Sequence, residues 1–245
     1  MRTRRLKRKF RPLTGRALSL ALAAGLIALI ALWLAFQYKP GWYRPIVLDD
    51  AGIQRAERQA VAVADDVGDQ MVEGRPFRVV LQDRSVNEWL AALPHVWPDA
   101  RDALPPELTE PVVRFEDGCI KVGAHYAAGG WRTIVNMGLT LGVSADGTTV
   151  EIALNGARGG SLPIPRSVLD RVFAQLSRSP PVGQDKPRHA ADVLASALRE
   201  IESLDDLFEG VRIDNRFVWP NGDRPFRIES IEIDNGQLRL RIEPL

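Results

Sequence analysis

The feature that most constrains this chain is an uncharged apolar run near its amino terminus. Residues 17–36, ALSLALAAGLIALIALWLAF, contain no charged side chain. At about 1.5 Å of rise per residue, a helix of this length reaches roughly 30 Å, which matches the hydrocarbon core of a bilayer. The run therefore predicts a transmembrane helix, and its charged flank disfavours a helix buried in a soluble domain.

The segment before this run predicts the orientation of the helix. Residues 1–16 contain no acidic residue and eight basic ones, namely Arg2, Arg4, Arg5, Lys7, Arg8, Lys9, Arg11 and Arg16. Positive flanks stay on the cytoplasmic side, so this tail is predicted to be cytoplasmic. It is read as a topology signal, with binding of anionic lipid as the second interpretation. A cleaved signal peptide is the alternative for the whole region, but FQYKPGWY offers no small-x-small cleavage site.

Aromatic residues near the far end of the run predict the membrane interface, because amphipathic rings favour that level. These residues are Trp33, Tyr38, Trp42 and Tyr43. Residues 37–48 contain proline and glycine and are predicted to be a juxtamembrane stalk. Residues 49–245 are then an extracytoplasmic domain, held by a single span in the cytoplasmic (inner) membrane of a bacterium.

Charge and cysteine content narrow the function of that domain. Beyond the tail, 24 basic residues face 31 acidic ones, so the chain is not a uniformly basic nucleic-acid binder. Cys119 is the single cysteine, so no internal disulfide can form and the core alone must stabilise the domain. About 200 residues are enough for such a core.

Hydrophobic periodicity predicts an α+β fold, in which meanders of antiparallel strands pack against amphipathic helices. Helices are predicted over about 49–73, 83–93, from Pro165, and 190–208. Strands are predicted over 77–82, 112–116, 119–127, 131–143, 149–157, 211–219, 226–234 and 237–245. The two groups of strands are expected to pair into one sheet. A slip in the apolar alternation of 226–234 predicts a β-bulge near Glu229.

The strand over 131–143 is long, at roughly 43 Å against a usual 17–20 Å. Gly138 and Gly142 lie on the face opposite its leucines, where they permit a bend or a close approach. The favoured interpretation is a strongly curved sheet with helices in its concavity; a flat sheet with one solvated face is the alternative. Curvature predicts a groove lined by an apolar strip, which consists of Val135, Met137, Leu139, Leu141, Ile152 and Leu154.

A resemblance points the same way. The order FRVVLQDRSVNEWL, VRFEDGCIKV, a long strand, GARGGSLPIPRSVLDRV and IESIEIDNGQLRLRIEPL resembles the YpmS-like group of bacterial single-pass membrane proteins. Its layout is similar to that of tubular lipid-binding half-barrel domains. The segments that carry it lie within residues 77–245, and they include a helix with Asn87 and the LPIP that precedes another helix. The resemblance implies an apolar groove and supplies no catalytic residue.

Patterns that would carry chemistry are missing from the sequence. It has no nucleophile elbow, P-loop or dinucleotide fingerprint. His95, His125 and His189 share no metal-ligand spacing with one another or with Cys119. GARGGS (156–161) is predicted to be a plain turn from a strand to a helix. We therefore predict no catalytic residue, metal site or cofactor, and an enzyme is the least favoured class.

Two functional hypotheses follow. In the first, the chain is a membrane-anchored binding module that holds a lipid acyl chain or an apolar partner segment on the apolar strip. In the second, it is a non-enzymatic scaffold that docks a cell-envelope protein, and the strip is ordinary core. The state of the strip, open or filled by the protein's own helices, separates the two.

Overall fold

A computed structural model of the chain describes residues 15–96, 105–166, 169, 204–218 and 224–245. The predictions for most of the basic tail, for the helix after Pro165 beyond two of its residues, and for the first part of the 190–208 helix lie outside these ranges. Trp97 and Trp219 also lie outside them.

The helices and strands of the described ranges confirm the predicted α+β class. The helices are α1 (Gly15–Phe36), α2 (Asp50–Glu73), α3 (Asp83–Val96) and α4 (Leu204–Glu209). The strands are β1 (Phe77–Gln82), β2 (Leu108–Glu116), β3 (Cys119–Ala128), β4 (Trp131–Val143), β5 (Thr149–Gly159), β6 (Leu162–Pro163), β7 (Val211–Asp214), β8 (Phe217–Val218), β9 (Pro225–Asp234) and β10 (Gln237–Pro244).

The strands form two sheets, so the prediction of a single sheet is wrong. Strands β1-β10-β9-β8 make a four-stranded sheet, and β2-β3-β4-β5-β6 make the larger one, with β7 also paired to β5. The predicted strand 211–219 is divided between them, because β7 belongs to the large sheet and β8 to the small one. The chain therefore changes sheets at Asn215, and β9 pairs with β10 and β8 instead of continuing the large sheet.

Helix α2 begins and ends where its sequence predicts. The carboxylate of Asp49 accepts a hydrogen bond of 2.8 Å from the amide of Gly52, which satisfies one of the free amides of the first turn. Gly74 ends the helix in the left-handed region, at φ 67°. Between these caps, Val67 and Met71 are buried against Ile242 of the small sheet. The apolar face of the helix thus covers one end of that sheet.

The predicted bulge in β9 is confirmed. Ser230 pairs with Arg241, whereas Ile228 pairs with Ile242, so Glu229 is the extra residue. Ile228 and Ile231 would point to opposite faces of a regular strand. The bulge allows both to lie on the same face. The shift in the apolar alternation of the sequence thus predicted the β-bulge in the backbone.

A second bulge lies in β5, opposite a glycine of the long strand. Met137 pairs with Ala157 and Leu139 with Leu154, so Asn155 and Gly156 together face Gly138. Gly156 adopts φ 93°, a value that favours glycine. A Cβ on Gly138 would lie 3.1 Å from the sulfur of Cys119. The glycine of β4 therefore permits a close approach, and the irregular pairing itself lies in the neighbouring strand.

Two asparagines satisfy backbone groups at strand edges. The amide group of Asn87 donates to the carbonyl of Val113 at 2.7 Å, and its oxygen accepts from the same residue's N–H at 2.7 Å. Asn215 does the same for Ile228, at 2.7 and 2.9 Å, and also donates to the carbonyl of Gly147. Each asparagine side chain makes the hydrogen bonds that a neighbouring strand would otherwise make to that residue. This protects the edge from pairing with another chain.

The two sheets share an apolar interior. Phe115 of the large sheet is buried with Ile233 and Leu238 of the small one. Backbone bonds join the same elements, because the amide of Gly118 donates to Ile233 and the amide of Gly236 donates to Phe115. The outer face of the small sheet instead carries ion pairs, namely Arg227 with Glu243, Arg241 with Glu229, and Arg239 with Asp234.

Candidate functional site

Helix α1 is long and apolar enough to cross a bilayer. Its window Ser19–Phe36 contains none of the side chains that the protein buries, and Leu22, Leu26 and Ile30 are all at least half exposed. Apolar side chains on every face suit a lipid environment. This helix is compatible with a membrane anchor or a signal anchor, and the rest of the site is built around its carboxyl end.

The sheet domain caps the last turn of α1. The carbonyl oxygen of Ala35 accepts hydrogen bonds from the amide and the hydroxyl of Ser161, at 2.9 and 3.0 Å. The carbonyl oxygen of Phe36 accepts a bond of 2.5 Å from the hydroxyl of Thr133. The last carbonyls of a helix have no partners within the helix. Thr133 supplies a partner for Phe36, and Ser161 adds two bonds to Ala35, whose carbonyl also accepts from the amide of Tyr38 at 3.4 Å.

Gly160 makes this cap sterically feasible. It adopts φ 62°, and a Cβ there would lie 2.3 Å from the carbonyl oxygen of Phe36 and 2.4 Å from that of Ala35. Its own amide donates to the carbonyl of Ile134, and its carbonyl accepts from the side chain of Asn136. The turn is therefore held on β4 while it lies directly against the end of the helix.

Aromatic rings extend the same contact. The ring of Trp131, the first residue of β4, lies with its centroid 5.5 Å from that of Trp33 and 5.8 Å from that of Phe36. The Phe36 pair is edge-to-face, at 89°, a favoured geometry for aromatic rings. The last turn of α1 thus meets the beginning of β4 through three rings and the Thr133 hydrogen bond, and meets the β5–β6 turn through the two hydrogen bonds of Ser161.

The segment predicted as a stalk also packs on the sheet. Tyr43 is only 1% exposed and is buried with Val112 and Ile134. Trp42 packs beside it, and a Cβ on Gly123 would approach the Trp42 ring to 2.8 Å. This burial corrects the prediction for Tyr43, whose ring lies inside the domain and does not face a membrane interface.

Tyr43 also holds an irregular point of β2. Its hydroxyl donates a hydrogen bond of 2.8 Å to the carbonyl of Glu110, a residue with φ 52° at a break in the β2–β3 register. Burial of the phenol, followed by the nearby Glu110 carboxylate, raises the pKa of Tyr43 to about 12. Both effects penalise the ionised phenolate.

The other predicted interface residues differ in their placement. Trp33 is 44% exposed on α1, and Tyr38 is 53% exposed just beyond its end. Trp42 is half-buried against Gly123. Trp33 and Tyr38 thus remain partly exposed, whereas Trp42 is turned toward the sheet.

The apolar strip lies on the face of the large sheet that receives Phe36. The pairings Val135 with Gly159 and Leu141 with Ile152 set the strip across β4 and β5. A Cβ on Gly159 would meet the Phe36 ring at 3.5 Å. Since paired residues share a face, Val135 begins the strip beside the end of α1.

The rest of the strip contacts the protein's own residues. Leu154 is 7% exposed and packs with Phe208 of α4 and with Leu169; Met137, Leu139 and Ile152 belong to the same cluster. Leu141 packs instead with the core between the two sheets. Within the described ranges, Val135 is half-buried and belongs to neither cluster. Five of the six strip residues thus pack against the protein's own side chains, and Val135 lies outside these clusters of the described residues.

A small recess lies near the far end of the strip. It has a volume of about 190 Å³ and is bordered by Thr140, Gly142, Glu151, Glu209 and Arg212, among others. Ligand pockets usually measure about 300–1,000 Å³, and only Leu141 of the apolar strip borders this one. The recess therefore differs from the predicted groove in position, size and chemistry.

Sequence reasoning missed Thr133 and Ser161. The sequence predicts GARGGS as a plain turn from a strand to a helix, whereas residues 156–159 belong to β5, and Gly160 and Ser161 turn the chain into another strand, β6. The missed signal was a serine beside a glycine pair, together with a threonine at a position of β4 that otherwise carries apolar residues. Neither local pattern indicates which distant carbonyl accepts its hydrogen bond.

No family model, no curated protein and no solved structure matches this chain. The resemblance to the YpmS-like group therefore stays a prediction.

Proposed function

We propose that this chain is a single-pass membrane protein whose sheet domain binds a lipid acyl chain, or an apolar segment of a partner, along the apolar strip. One observation carries the proposal: the carboxyl end of α1 and the beginning of the strip share one face of the large sheet. A Cβ on Gly159 would lie 3.5 Å from the Phe36 ring, and Gly159 is paired with Val135. A hydrocarbon chain leaving the bilayer beside α1 would meet Val135 first.

The energetics suit a hydrocarbon ligand. A methylene exposed to water costs about 0.8 kcal/mol, so each methylene that the strip covers recovers about that part of the cost of leaving the bilayer. The cap on Ala35 and Phe36 holds the domain close to the helix. Because the path from the bilayer to the strip is then short, an acyl chain that moves along it stays out of water.

The proposal includes a bacterial inner membrane, a cytoplasmic amino terminus and an extracytoplasmic sheet domain. The eight basic residues within positions 1–16 support it. We expect an alkaline phosphatase fused after Leu245 to be active in intact cells, and a fluorescent protein at the same site to be dark. The opposite pattern, or a mature chain that begins after residue 36, would contradict the anchored topology.

Photocrosslinking of the full-length protein in membranes tests the ligand. We expect a diazirine amino acid in place of Val135 to give lipid adducts by mass spectrometry. The matched control is Val80, which is 47% exposed on the opposite, charged face of the small sheet. Equal lipid labelling at the two valines, or none at Val135, would reject lipid binding by the strip.

The second candidate is the envelope scaffold, and a specific observation favours it. Leu154 and its neighbours already pack on Phe208 and Leu169, so this part of the strip acts as core. The same crosslinking experiment separates the candidates. In the scaffold the strip is core, so labelling at Val135 that stays within the chain itself, with neither a lipid nor a partner adduct, would support it.

A further inference from the structure

The hairpin between β3 and β4 is a second candidate contact with the bilayer. Its tip consists of residues 127–130, Ala-Ala-Gly-Gly, followed by Trp131. None of these residues is charged, and the next residue is Arg132. We propose that this tip inserts into the interfacial region of the membrane beside α1, an inference that rests on α1 spanning the bilayer.

The depth of Trp131 carries the argument. Trp33 lies three residues before the end of α1, so it sits about 4.5 Å below that end along the helix axis. The Trp131 ring lies 5.5 Å from the Trp33 ring. The apolar window of the helix extends to Phe36. With the helix in a bilayer, the Trp131 ring is therefore level with the last turn of the span.

Exposure supports the same conclusion. Trp131 remains 54% exposed although it touches two aromatic rings. Gly129 and Gly130 turn the chain at φ 57° and 83° without adding bulk, and Ala127 is exposed. A half-exposed indole beside small residues suits the membrane–water interface, where Trp is enriched. Arg132, also exposed, can extend its guanidinium toward phosphates.

The opposite end of β4 provides a natural contrast. There the β4–β5 turn carries Asp146, whose carboxylate accepts hydrogen bonds from Ser144 and Thr148. Thirteen strand residues separate the two turns, or roughly 43 Å. One turn is uncharged and aromatic, and the other is acidic. The strand thus has an end suited to lipid and an end suited to water.

The test uses the full-length protein in vesicles of phosphatidylethanolamine and phosphatidylglycerol. Cys119→Ala removes the single native thiol. Single cysteines then carry a nitroxide at Ala24 in α1, at Ala127 in the tip, or at Ala145 in the opposite turn. Collision rates with oxygen, which concentrates in lipid, and with a water-soluble nickel chelate give the depth of each label.

We expect the Ala24 label to be deep, the Ala127 label to lie at or below the phosphates, and the Ala145 label to be in water. Trp131→Glu should move the Ala127 label into water, and Trp131→Phe should keep it in place. An Ala127 label that behaves like the Ala145 label, with Ala24 still deep, would overturn the inference and leave the anchor intact. A water-accessible Ala24 label would overturn the anchor and the inference together.

Discussion

The hydroxyl of Thr133 donates a hydrogen bond of 2.5 Å to the carbonyl oxygen of Phe36, a residue 97 positions away. Thr133 is only 6% exposed, so this bond is shielded from water. A shielded carbonyl without a partner costs about 1–3 kcal/mol. The pair therefore couples the orientation of α1 to that of the large sheet.

Gly160→Ala should detach the helix from the sheet. A Cβ would overlap the carbonyl oxygens of Phe36 and Ala35, at 2.3 and 2.4 Å, and backbone cannot yield as a flexible side chain does. We expect a loss of stability of at least about 2–3 kcal/mol, and a broader distance distribution between spin labels on α1 and β4.

Gly147→Ala is the matched control for that variant. Gly147 also has a positive φ, of 70°, but nothing lies within 4 Å of the Cβ position. The Gly147→Ala variant should therefore lose only about 1 kcal/mol of stability, the cost of an alanine in the left-handed conformation, and its spin-label distances should be unchanged. Equal effects of the two variants would show that the contact with α1 contributes nothing.

Tyr43→Phe should change the alkaline stability of the protein. Because burial raises the pKa of Tyr43 from 10.0 to about 12, the unfolded state loses this proton first. The stabilisation is present below pH 10 and is lost as pH rises toward 12. Phenylalanine removes this dependence, which is on the order of 2 kcal/mol.

Chemical denaturation at pH 8 and at pH 11 measures the difference. At pH 8 the variant should lose about 0.5–1.5 kcal/mol, because the hydrogen bond to Glu110 is absent. Tyr38→Phe, at a residue that is 53% exposed, serves as the control and should keep the alkaline loss. If the stability of Tyr43→Phe declines between these pH values as steeply as that of the unaltered protein, the assignment to Tyr43 is wrong.

Asn215→Ala should be among the most destabilising polar substitutions. The side chain is 4% exposed and serves the N–H and carbonyl of Ile228 as well as the carbonyl of Gly147. Alanine leaves these backbone groups without a partner, so we expect a loss of about 3–5 kcal/mol. Urea denaturation gives the value.

An exposed asparagine provides the comparison. Asn155 bonds only to the hydroxyl of Thr140 among the described contacts, and Asn155→Ala should cost less than about 0.5 kcal/mol. Similar losses for the two alanine variants would mean that Asn215 does not act as a replacement strand.

Asp146 should titrate well below the usual range of an aspartate. Hydrogen bonds from the hydroxyl of Ser144, and then from the amide and hydroxyl of Thr148, lower its pKa from 3.8 to about 2. The stabilisation of the turn is therefore present above pH 3.8 and is lost as pH falls toward 2. An NMR titration of the Asp146 carboxyl carbon measures the pKa directly.

Ser144→Ala should raise this pKa toward its ordinary value, since the largest cause of the shift is removed. Ser85→Ala, at a serine bonded to Gln59, should leave it unchanged. A normal titration of Asp146 in the unaltered protein would contradict the hydrogen-bonded turn.

Local signals in the sequence account for much of the fold. The apolar run predicts α1, and Asp49 and Gly74 mark the ends of α2. The apolar slip near Glu229 predicts its bulge. Each of these features depends on residues within a few positions of one another, where periodicity, capping and backbone preference act directly.

The site depended on contacts that no local pattern encodes. Ser161 lies 126 positions from Ala35, whose carbonyl it binds, and Tyr43 lies 67 positions from Glu110. A serine hydroxyl or a buried phenol shows the need for a partner, without showing which partner it finds. For the same reason the sequence left the covering of Leu154 by Phe208 undecided.

By itself, the sequence determined that a long apolar helix precedes an α+β domain with antiparallel strands, because side-chain alternation and charge act along the chain. Only the tertiary structure decided that the strands divide into two sheets, that Tyr43 is buried, and that Thr133 and Ser161 cap α1. Those outcomes depend on which distant faces meet, and the free energy of burying each face together with its polar groups selects them.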